Sequence, residues 1–216
     1  MKALAVIGIH TNIGKTIVSA VLTEALQADY WKPVQAGGLD FTDTMQVSEL
    51  VSNSKSVFHP ERFLLKEPMS PHAAAALENL KYELTDLTLP TTPNLLLVET
   101  AGGVMSPVTD SATVIDFLKH YALPAVLVVE AYLGSINHTL LCLDVLAHHK
   151  IDLKAVVFNG TKNQASEEFI IRYAGVKNIL HVDRMHDLNA EAVKGQSEFI
   201  KSSLQNIFSD EFEGKR

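Results

Sequence analysis

The stretch Gly8-Ile9-His10-Thr11-Asn12-Ile13-Gly14-Lys15-Thr16 decides the fold of this chain. An apolar run, Ala3 to Ile7, precedes it, and a helix-like segment, Thr16 to Leu26, follows it. A strand, a glycine-containing turn ending in Gly-Lys-Thr and a helix predict a phosphate-binding loop, whose backbone N–H groups surround a phosphate. Lys15 would add a positive charge at the outer phosphates, and the Thr16 hydroxyl would ligate Mg²⁺. Five residues instead of the usual four separate the two glycines, so the loop is a variant of this motif.

The composition is typical of a soluble globular protein and excludes several classes. With 216 residues the chain has the length of a single domain, 1–216, whose polar tail, 209–216, we expect to be frayed. The net charge of −7 argues against nucleic-acid binding, which needs a basic face. The sequence predicts neither a membrane span nor a signal peptide. The single cysteine, Cys142, is expected to be a buried core thiol, which suits a reducing cytoplasm.

Apolar runs alternate with helical segments along the rest of the chain. Asp110 or Ser111 is expected to cap a helix that ends at Tyr121, and Ser135 the helix after it. Strands are predicted at 30–34, 95–98, 124–129, 154–158 and 178–182, further helices at 42–51, 71–77, 136–149, 165–173 and 190–204, and irregular chain at 52–68 and 85–93. This alternation predicts an α/β protein with a three-layer P-loop NTPase-like fold, in which helices cover both faces of a mostly parallel sheet.

Polar residues stand at the ends of the predicted strands, where ligands of such a sheet bind. They are Lys32, Glu99, Glu130 and Asn159. A lysine at a strand end can point to solvent, but it can also bring positive charge to a transferring phosphoryl group, where electrostatic positioning is most of the catalysis. The sequence suggests no role for Glu130.

Hard oxygen ligands for Mg²⁺ are available close to the phosphate-binding loop. Thr16 is one candidate, Glu99 is the second, and Asp43, which follows the second-strand loop, is the third. Small residues at 101–103 would allow backbone to approach a phosphate closely. The alternatives are a solvated strand end for Glu99 and a helix N-cap for Asp43.

Motifs between residue 3 and about residue 160 resemble those of the dethiobiotin synthetase family. Besides the loop with its five-residue spacing, they are Lys32-Pro33-Val34, Ser70-Pro71-His72, Glu99-Thr100-Ala101-Gly102-Gly103 and Leu133-Gly134-Ser135-Ile136-Asn137-His138. Taken together these motifs are specific, because related ATPases share only the first of them and part of the fourth.

The resemblance implies an ATP- and Mg²⁺-dependent cyclo-ligase of biotin biosynthesis. One amine of 7,8-diaminopelargonate (7,8-diaminononanoate) captures CO₂ as a carbamate, which attacks the γ-phosphate to give a carbamic-phosphoric anhydride. The second amine then closes the ring, so that dethiobiotin, ADP and phosphate are formed. The resemblance also implies a cytoplasmic homodimer with small-molecule substrates and without nucleic-acid or membrane partners.

The same resemblance implies which residues form the site. Lys15 and Lys32 are its catalytic residues and stabilise charge on the γ-phosphoryl group and the carbamate. Asn159 reads the adenine edge, since an amide can both donate and accept there. The implied Mg²⁺ ligands are Thr16, Asp43 and Glu99, and the implied substrate-binding residues are Thr11, Ala36 and Asn137, of which Asn137 would hold the substrate's carboxylate tail across a dimer interface. The implied ATP-binding residues are Asn12, Ile13, Gly14, Lys15, Thr16, Ile17, Asp43, Glu99, Thr100, Ala101, Gly102, Asn159 and Gly160.

The chain departs from the family pattern at several of these positions. His10 stands in place of an Asp, Thr100 in place of a Gly, and Gly160 in place of the Asp that usually follows Asn159. Ala36 replaces a Ser or Thr, so any substrate contact there must come from its backbone. Residues 181–184 occupy the place of a Gly-x-Ile-Pro segment near the base.

Three other functions share parts of this pattern. ATPase switches of the MinD/ParA type carry an extra lysine early in the loop, where this chain has Ile9-His10-Thr11. A cobyrinic-acid-type amidoligase needs a glutaminase domain, for which the chain is too short. A regulatory paralogue that binds nucleotide without catalysis shares every binding motif, and the sequence separates it poorly.

Overall fold

The computed structural model describes residues 2–208, so the tail expected to be frayed, 209–216, lies outside the described residues. Strands and helices alternate along the chain, as predicted. The strands are β1 (Ala3–Gly8), β2 (Asp29–Trp31), β3 (Val34–Ala36), β4 (Phe58–His59), β5 (Phe63–Leu65), β6 (Leu96–Glu99), β7 (Ala125–Glu130), β8 (Leu153–Asn159) and β9 (Ile179–Val182). The helices are α1 (Lys15–Leu26), α2 (Asp43–Leu50), α3 (Pro71–Leu77), α4 (Val114–His120), α5 (Ser135–His148), α6 (Gln164–Ala174) and α7 (Ala190–Ile207), with a 3-10 helix at Leu84–Asp86.

Seven strands form a parallel sheet in the order β4-β2-β6-β1-β7-β8-β9 within the described residues. The strand that leads into the phosphate-binding loop, β1, is central and buried along its whole length. Because all seven strands point the same way, their carboxyl ends meet at one edge of the sheet. The predicted fold class is confirmed.

Apolar side chains of the strands and helices form the core on which the site rests. Tyr30, Phe117 and Phe208 are among its largest fully buried side chains. The C-terminal helix α7 packs against α1 and α2, while α5 packs against α6 and β7. The phosphate-binding loop therefore ends in a helix, α1, that is held by both the sheet and its neighbours.

The region from residue 30 to residue 68 differs from the prediction in two ways. The strand predicted at 30–34 breaks after Trp31, because Pro33 cannot donate to a ladder and its carbonyl accepts instead from the N–H groups of Arg62 and Phe63. The chain resumes as β3, which pairs with β5 in a separate two-stranded sheet. The prediction that 52–68 is irregular was therefore wrong: β4 and β5 are two and three residues long, too short to show a periodic pattern.

Two helices begin at other residues than predicted. Neither Asp110 nor Ser111 caps α4, because the Thr109 hydroxyl accepts from the Ser111 N–H and keeps this segment in a turn. The cap is Thr113, which forms a reciprocal capping box with Asp116. Ser135 is the first residue of α5 and not its cap, a position that Gly134 takes with φ 102°.

Two further expectations concern Cys142 and the membrane. Cys142 is half-buried, not buried in the core, because it lies at the wall of a 420 Å³ cavity between α5 and the 103–107 loop. Desolvation by burial raises the pKa of its thiol to about 11, so the thiol stays protonated near neutral pH.

No helix within residues 2–208 is long and apolar enough to cross a membrane.

Candidate active site

A cleft of about 690 Å³ opens at the carboxyl edge of the sheet, where β1, β2 and β6 end. Its walls are the phosphate-binding loop, the chain from Lys32 to Gln46, the start of α3 and the loop after β6. The predicted residues that line it are Thr11, Asn12, Gly14, Lys15, Thr16, Ile17, Lys32, Ala36, Asp43, Glu99, Ala101 and Gly102. Most of the expected site residues thus share one cavity.

The phosphate-binding loop owes its shape to two residues with positive φ. Asn12 has φ 58° and Gly14 has φ 77°, a region that L-residues with side chains rarely adopt. A Cβ on Gly14 would lie 2.2 Å from Nδ2 of Asn159, which donates to the Ile13 carbonyl at 3.0 Å. The loop is therefore closed from the β8 side by a direct hydrogen bond that only glycine at 14 permits.

Lys15 lies in the floor of this loop and is almost fully buried. Its Nζ donates to the His10 carbonyl at 3.1 Å across the loop. The pKa of Lys15 is lowered to about 8, chiefly because burial disfavours the charged form; the charge of Glu99 opposes this shift, the charge of Lys32 adds to it, and Asp43 opposes it. The Lys15 ammonium is consequently a desolvated charge, which an incoming polyphosphate would stabilise.

Glu99 is the centre of the polar network of the cleft. Its side chain is only 1% exposed. Oε1 accepts from the Thr16 hydroxyl at 3.0 Å and from Lys32 Nζ at 3.3 Å, and Oε2 accepts from the Tyr30 hydroxyl at 3.0 Å. One buried carboxylate thus connects the ends of β1, β2 and β6. It is not a solvated strand end.

Lys32 lies between the carboxylates of Asp43 and Glu99 and forms an ion pair with each. Burial by itself would lower the pKa of Lys32, but the two carboxylates outweigh it and leave that pKa raised. Asp43 is the first residue of α2, and its N–H donates to Oε1 of the buried Gln35 at 3.4 Å. The helix cap is Thr42, whose hydroxyl accepts from the Met45 N–H, so the capping alternative for Asp43 is wrong.

Three oxygen groups that could hold a divalent cation converge here. The Thr16 hydroxyl touches Glu99, and the carboxylates of Asp43 and Glu99 face the same Lys32 ammonium. Such hard oxygens suit Mg²⁺, which commonly keeps several waters and adds substrate phosphates to a few protein ligands. The point between the carboxylates already favours positive charge, since Lys32 occupies it.

Comparisons with known proteins agree with this geometry. A family model described as an AAA domain matches residues 2–192. The chain is 45% identical to the ATP-dependent dethiobiotin synthetase BioD of Cytophaga hutchinsonii, over 89% of this chain and 94% of that protein. It is 38% identical to the protein of the same name from Christiangramia forsetii, over 95% of this chain and 99% of the relative. The chain belongs to the dethiobiotin synthetase family.

Solved structures show how far the fold alone extends beyond the dethiobiotin synthetase family. A ParA family ATPase from Chlorobium tepidum superposes with a TM-score of 0.55 at 10% identity, covering 97% of this chain and 95% of that one. A chain of the MinC:MinD cell division protein complex of Aquifex aeolicus gives a TM-score of 0.51 at 12% identity, covering 100% of this chain and 97% of that one. At such identities the likeness concerns the fold and not the activity.

Five residues implied by the family resemblance lie outside the main cleft. Ile13 is buried and takes part through its carbonyl, and the Thr100 hydroxyl donates to the Val6 carbonyl at 3.3 Å inside the core. Asn159 and Gly160 line a second cavity of about 310 Å³ that adjoins Ile17, a residue of both cavities. Asn137 is exposed on α5 and lines neither the main cleft nor the second cavity.

Sequence reasoning missed three residues that shape the cleft. Tyr30 and Gln35 fix Glu99 and Asp43, respectively, and the Ser106 hydroxyl accepts from the Gly103 N–H at 2.8 Å. Gly102, with φ 71°, has no space for a Cβ beside Ser106. The position of Tyr30, two residues before the strand-end Lys32, could have indicated that its hydroxyl lies near the site. The sequence around Ser106 gives no such indication.

Proposed function

We propose that this protein closes 7,8-diaminononanoate and CO₂ into dethiobiotin at the cost of ATP, with ADP and phosphate as the other products. The observation that carries the proposal is the cluster of Lys15, Lys32, Asp43 and Glu99 beside a phosphate-binding loop, in a member of the dethiobiotin synthetase family. Two cations and two anions in one cleft suit a reaction that moves a phosphoryl group onto a carbamate.

Each residue of the cluster has a proposed task. The loop N–H groups and Lys15 bind the triphosphate, and the partly desolvated ammonium of Lys15 gains most from that charge. Lys32 stabilises the carbamate and the γ-phosphoryl group as they approach each other. Glu99 and Asp43 orient Lys32, so that its charge is in place before substrate arrives.

The chemistry then follows from the substrate's own groups. One amine adds to CO₂ and loses a proton to form the carbamate, whose oxygen attacks the γ-phosphorus while ADP leaves. The second amine attacks the carbonyl carbon of the carbamic-phosphoric anhydride and loses a proton, phosphate leaves, and the cyclic urea is formed.

Mg²⁺ is the proposed metal, with Thr16, Asp43 and Glu99 as the residues that would hold it. When bound, it neutralises charge on the transferring phosphate. The remaining implied contacts are likewise proposals: backbone from Asn12 to Ile17 and from Thr100 to Gly102 for the phosphates, Asn159 and Gly160 for the base, and Thr11, Ala36 and Asn137 for the diamine.

We also propose a cytoplasmic homodimer of single-domain subunits. Asn137 lies on a surface that carries exposed apolar side chains, among them Met105, Leu133 and Leu141. Leu133 is as exposed as in an extended peptide, which favours its burial by a second copy. Sedimentation equilibrium of the purified protein tests this, and a monomer at micromolar concentration would contradict it.

The experiment that tests the function supplies Mg²⁺-ATP, bicarbonate and 7,8-diaminononanoate and measures dethiobiotin by mass spectrometry. Wild type is expected to form dethiobiotin and ADP in equal amounts. Lys32→Ala is expected to lose at least about 100-fold in kcat, the effect of removing one charge-stabilising group, while it still binds ATP. Lys194→Ala, which removes an exposed lysine on α7, serves as the matched control.

Two results would contradict these assignments. Turnover of Lys32→Ala at the wild-type rate refutes the role of Lys32 but leaves the function intact. ATP binding by wild type without any dethiobiotin refutes the function and indicates the regulatory paralogue instead.

A further inference from the structure

The second cavity, of about 310 Å³, has two polar groups at its base whose roles differ from those in the main cleft. They are Glu130 and Asn159, the last residues of the adjacent strands β7 and β8, which lie opposite each other in the parallel register. Ile17, Met185 and Leu188 add apolar side chains to its lining, and Thr161, Asp183 and Arg184 add polar ones. Apolar surface beside groups that can form hydrogen bonds suits a flat heterocycle.

The side-chain amide of Asn159 has only one possible orientation. Its partner at 3.0 Å is the Ile13 carbonyl, which accepts hydrogen bonds and cannot donate them. Nδ2 must therefore face the phosphate-binding loop, and a flip of the amide would place two acceptors against each other. The amide consequently offers the cavity Oδ1 as an acceptor and its second N–H as a donor.

Glu130 adds a second acceptor from the neighbouring strand. Its Oε1 lies 3.6 Å from the position that a Cβ on Gly160 would take, so its carboxylate extends over the glycine into the space that a side chain at 160 would fill. Gly160 has φ 90°, a backbone conformation that favours glycine. Within residues 2–208 no group donates a hydrogen bond to this carboxylate or pairs with it, and its oxygens are therefore available to a ligand.

We propose that Glu130 is a specificity-determining residue that makes this cavity select a nucleobase with an exocyclic amino group next to a ring acceptor, as in adenine. The inference rests on the proposed ATP-dependent function. An amide that offers an acceptor beside a donor matches N6 and N7 of adenine. The second hydrogen of N6 then points to the Glu130 carboxylate, so both hydrogens of the amine have an acceptor.

A base with an oxo group at the position of the adenine amino group should bind this cavity more weakly. The O6 atom of hypoxanthine or guanine would face Oδ1 of Asn159 and the Glu130 carboxylate, which are both acceptors. Asn159 cannot compensate by turning, because the Ile13 carbonyl fixes it. Loss of a hydrogen bond to a charged group corresponds to a preference for ATP of roughly tenfold to hundredfold.

The test compares ATP with ITP, which differs from it only in this part of the base. For each nucleotide, kcat/KM is measured from dethiobiotin formation, and affinity is measured separately by displacement of a fluorescent ATP analogue. We expect wild type to prefer ATP over ITP in both measurements. Glu130→Gln, whose amide can donate to O6, is expected to reduce the ATP-to-ITP ratio about tenfold, mainly through better use of ITP.

Glu198→Gln is the matched control, since it makes the same change of charge at an exposed position on α7 and should leave the ratio as in wild type. Because the ratio compares two nucleotides on one preparation, partly unfolded protein does not affect it. Equal use of ATP and ITP by wild type, a preference for GTP, or an unchanged ratio in Glu130→Gln would each overturn the proposal. The displacement assay measures the preference for ATP over ITP even if no dethiobiotin forms. Failure of the proposed function is therefore distinguished from failure of this proposal.

Discussion

Tyr30→Phe tests whether the carboxylate of Glu99 depends on the tyrosine hydroxyl. Both side chains are buried, Tyr30 at 0% and Glu99 at 1% exposed. Within the described residues, Oε2 of Glu99 accepts a hydrogen bond from the Tyr30 hydroxyl, whereas Oε1 accepts from Thr16 and Lys32. Burial, and then the charge of Glu99, raise the pKa of Tyr30 well above its usual range, so the hydroxyl keeps its proton at every pH used for the assay.

The expected magnitude follows from leaving one buried carboxylate oxygen without a donor. Phenylalanine keeps the ring and its packing, so the change removes the hydrogen bond and little else. A lost hydrogen bond to a buried charged group costs about 2–3 kcal/mol of the free energy of unfolding. For a chain of this size, this corresponds to a decrease in Tm of roughly 5–10 °C.

Urea unfolding followed by circular dichroism measures the change, with Tyr121→Phe as the matched control. The Tyr121 hydroxyl donates to the neutral Leu84 carbonyl at 3.0 Å in a half-buried position, so its removal should cost only about 1 kcal/mol. In a Glu99→Gln background, Tyr30→Phe should cost clearly less than in wild type, because the two residues are coupled. Equal losses for the two tyrosine variants would refute the view that Glu99 is held as a buried charge.

Two more predictions concern the phosphate-binding loop. Gly14→Ala places a Cβ 2.2 Å from Asn159 Nδ2 at a residue with positive φ, whereas Gly175→Ala, the control, has φ 63° and open space. Gly14→Ala should therefore lower the free energy of unfolding by at least about 1 kcal/mol more than Gly175→Ala, and it should weaken ATP binding. Equal losses in urea unfolding would argue against the contact. Because the pKa of Lys15 is lowered to about 8, ATP binding above that pH requires uptake of a proton, and affinity should fall about tenfold per pH unit. Calorimetry at pH 9 in buffers of different ionisation heat measures the uptake, and its absence would contradict the assignment.

The sequence was sufficient to predict the large parallel sheet because its central strands are buried on both faces. A run such as Ala3 to Ile7 has no polar alternation and is followed by a loop with a chemical signature. The small sheet of β3 and β5 could not be predicted in the same way. Its strands are three residues long, and their pairing depends on the Pro33 carbonyl, a contact between segments about thirty residues apart.

Strand-end reasoning found the charged residues of the site but not their supports. Lys32 and Glu99 stand out because a charge at the end of a buried strand is unusual, whereas Tyr30 belongs to the apolar run and looks like core. Thr100 shows the converse limit. It lies within a recognisable motif, yet its hydroxyl and N–H both bond to the Val6 carbonyl, since the sheet continues one residue past β6 on that side.

The order of the strands explains why Glu99 is the residue on which the site depends. Along the chain β6 comes after β1 and β2, but in the sheet it lies between them, with Val6 opposite Glu99 and Trp31 opposite Val98. A side chain at the end of β6 must therefore lie between whatever follows β1 and whatever follows β2. These are the phosphate-binding loop and Lys32, so the insertion of β6 brings one buried carboxylate into contact with both. The cluster is therefore a consequence of the strand order. Because aspartate is shorter by one methylene, Glu99→Asp should fail to reach Thr16 and Lys32 together.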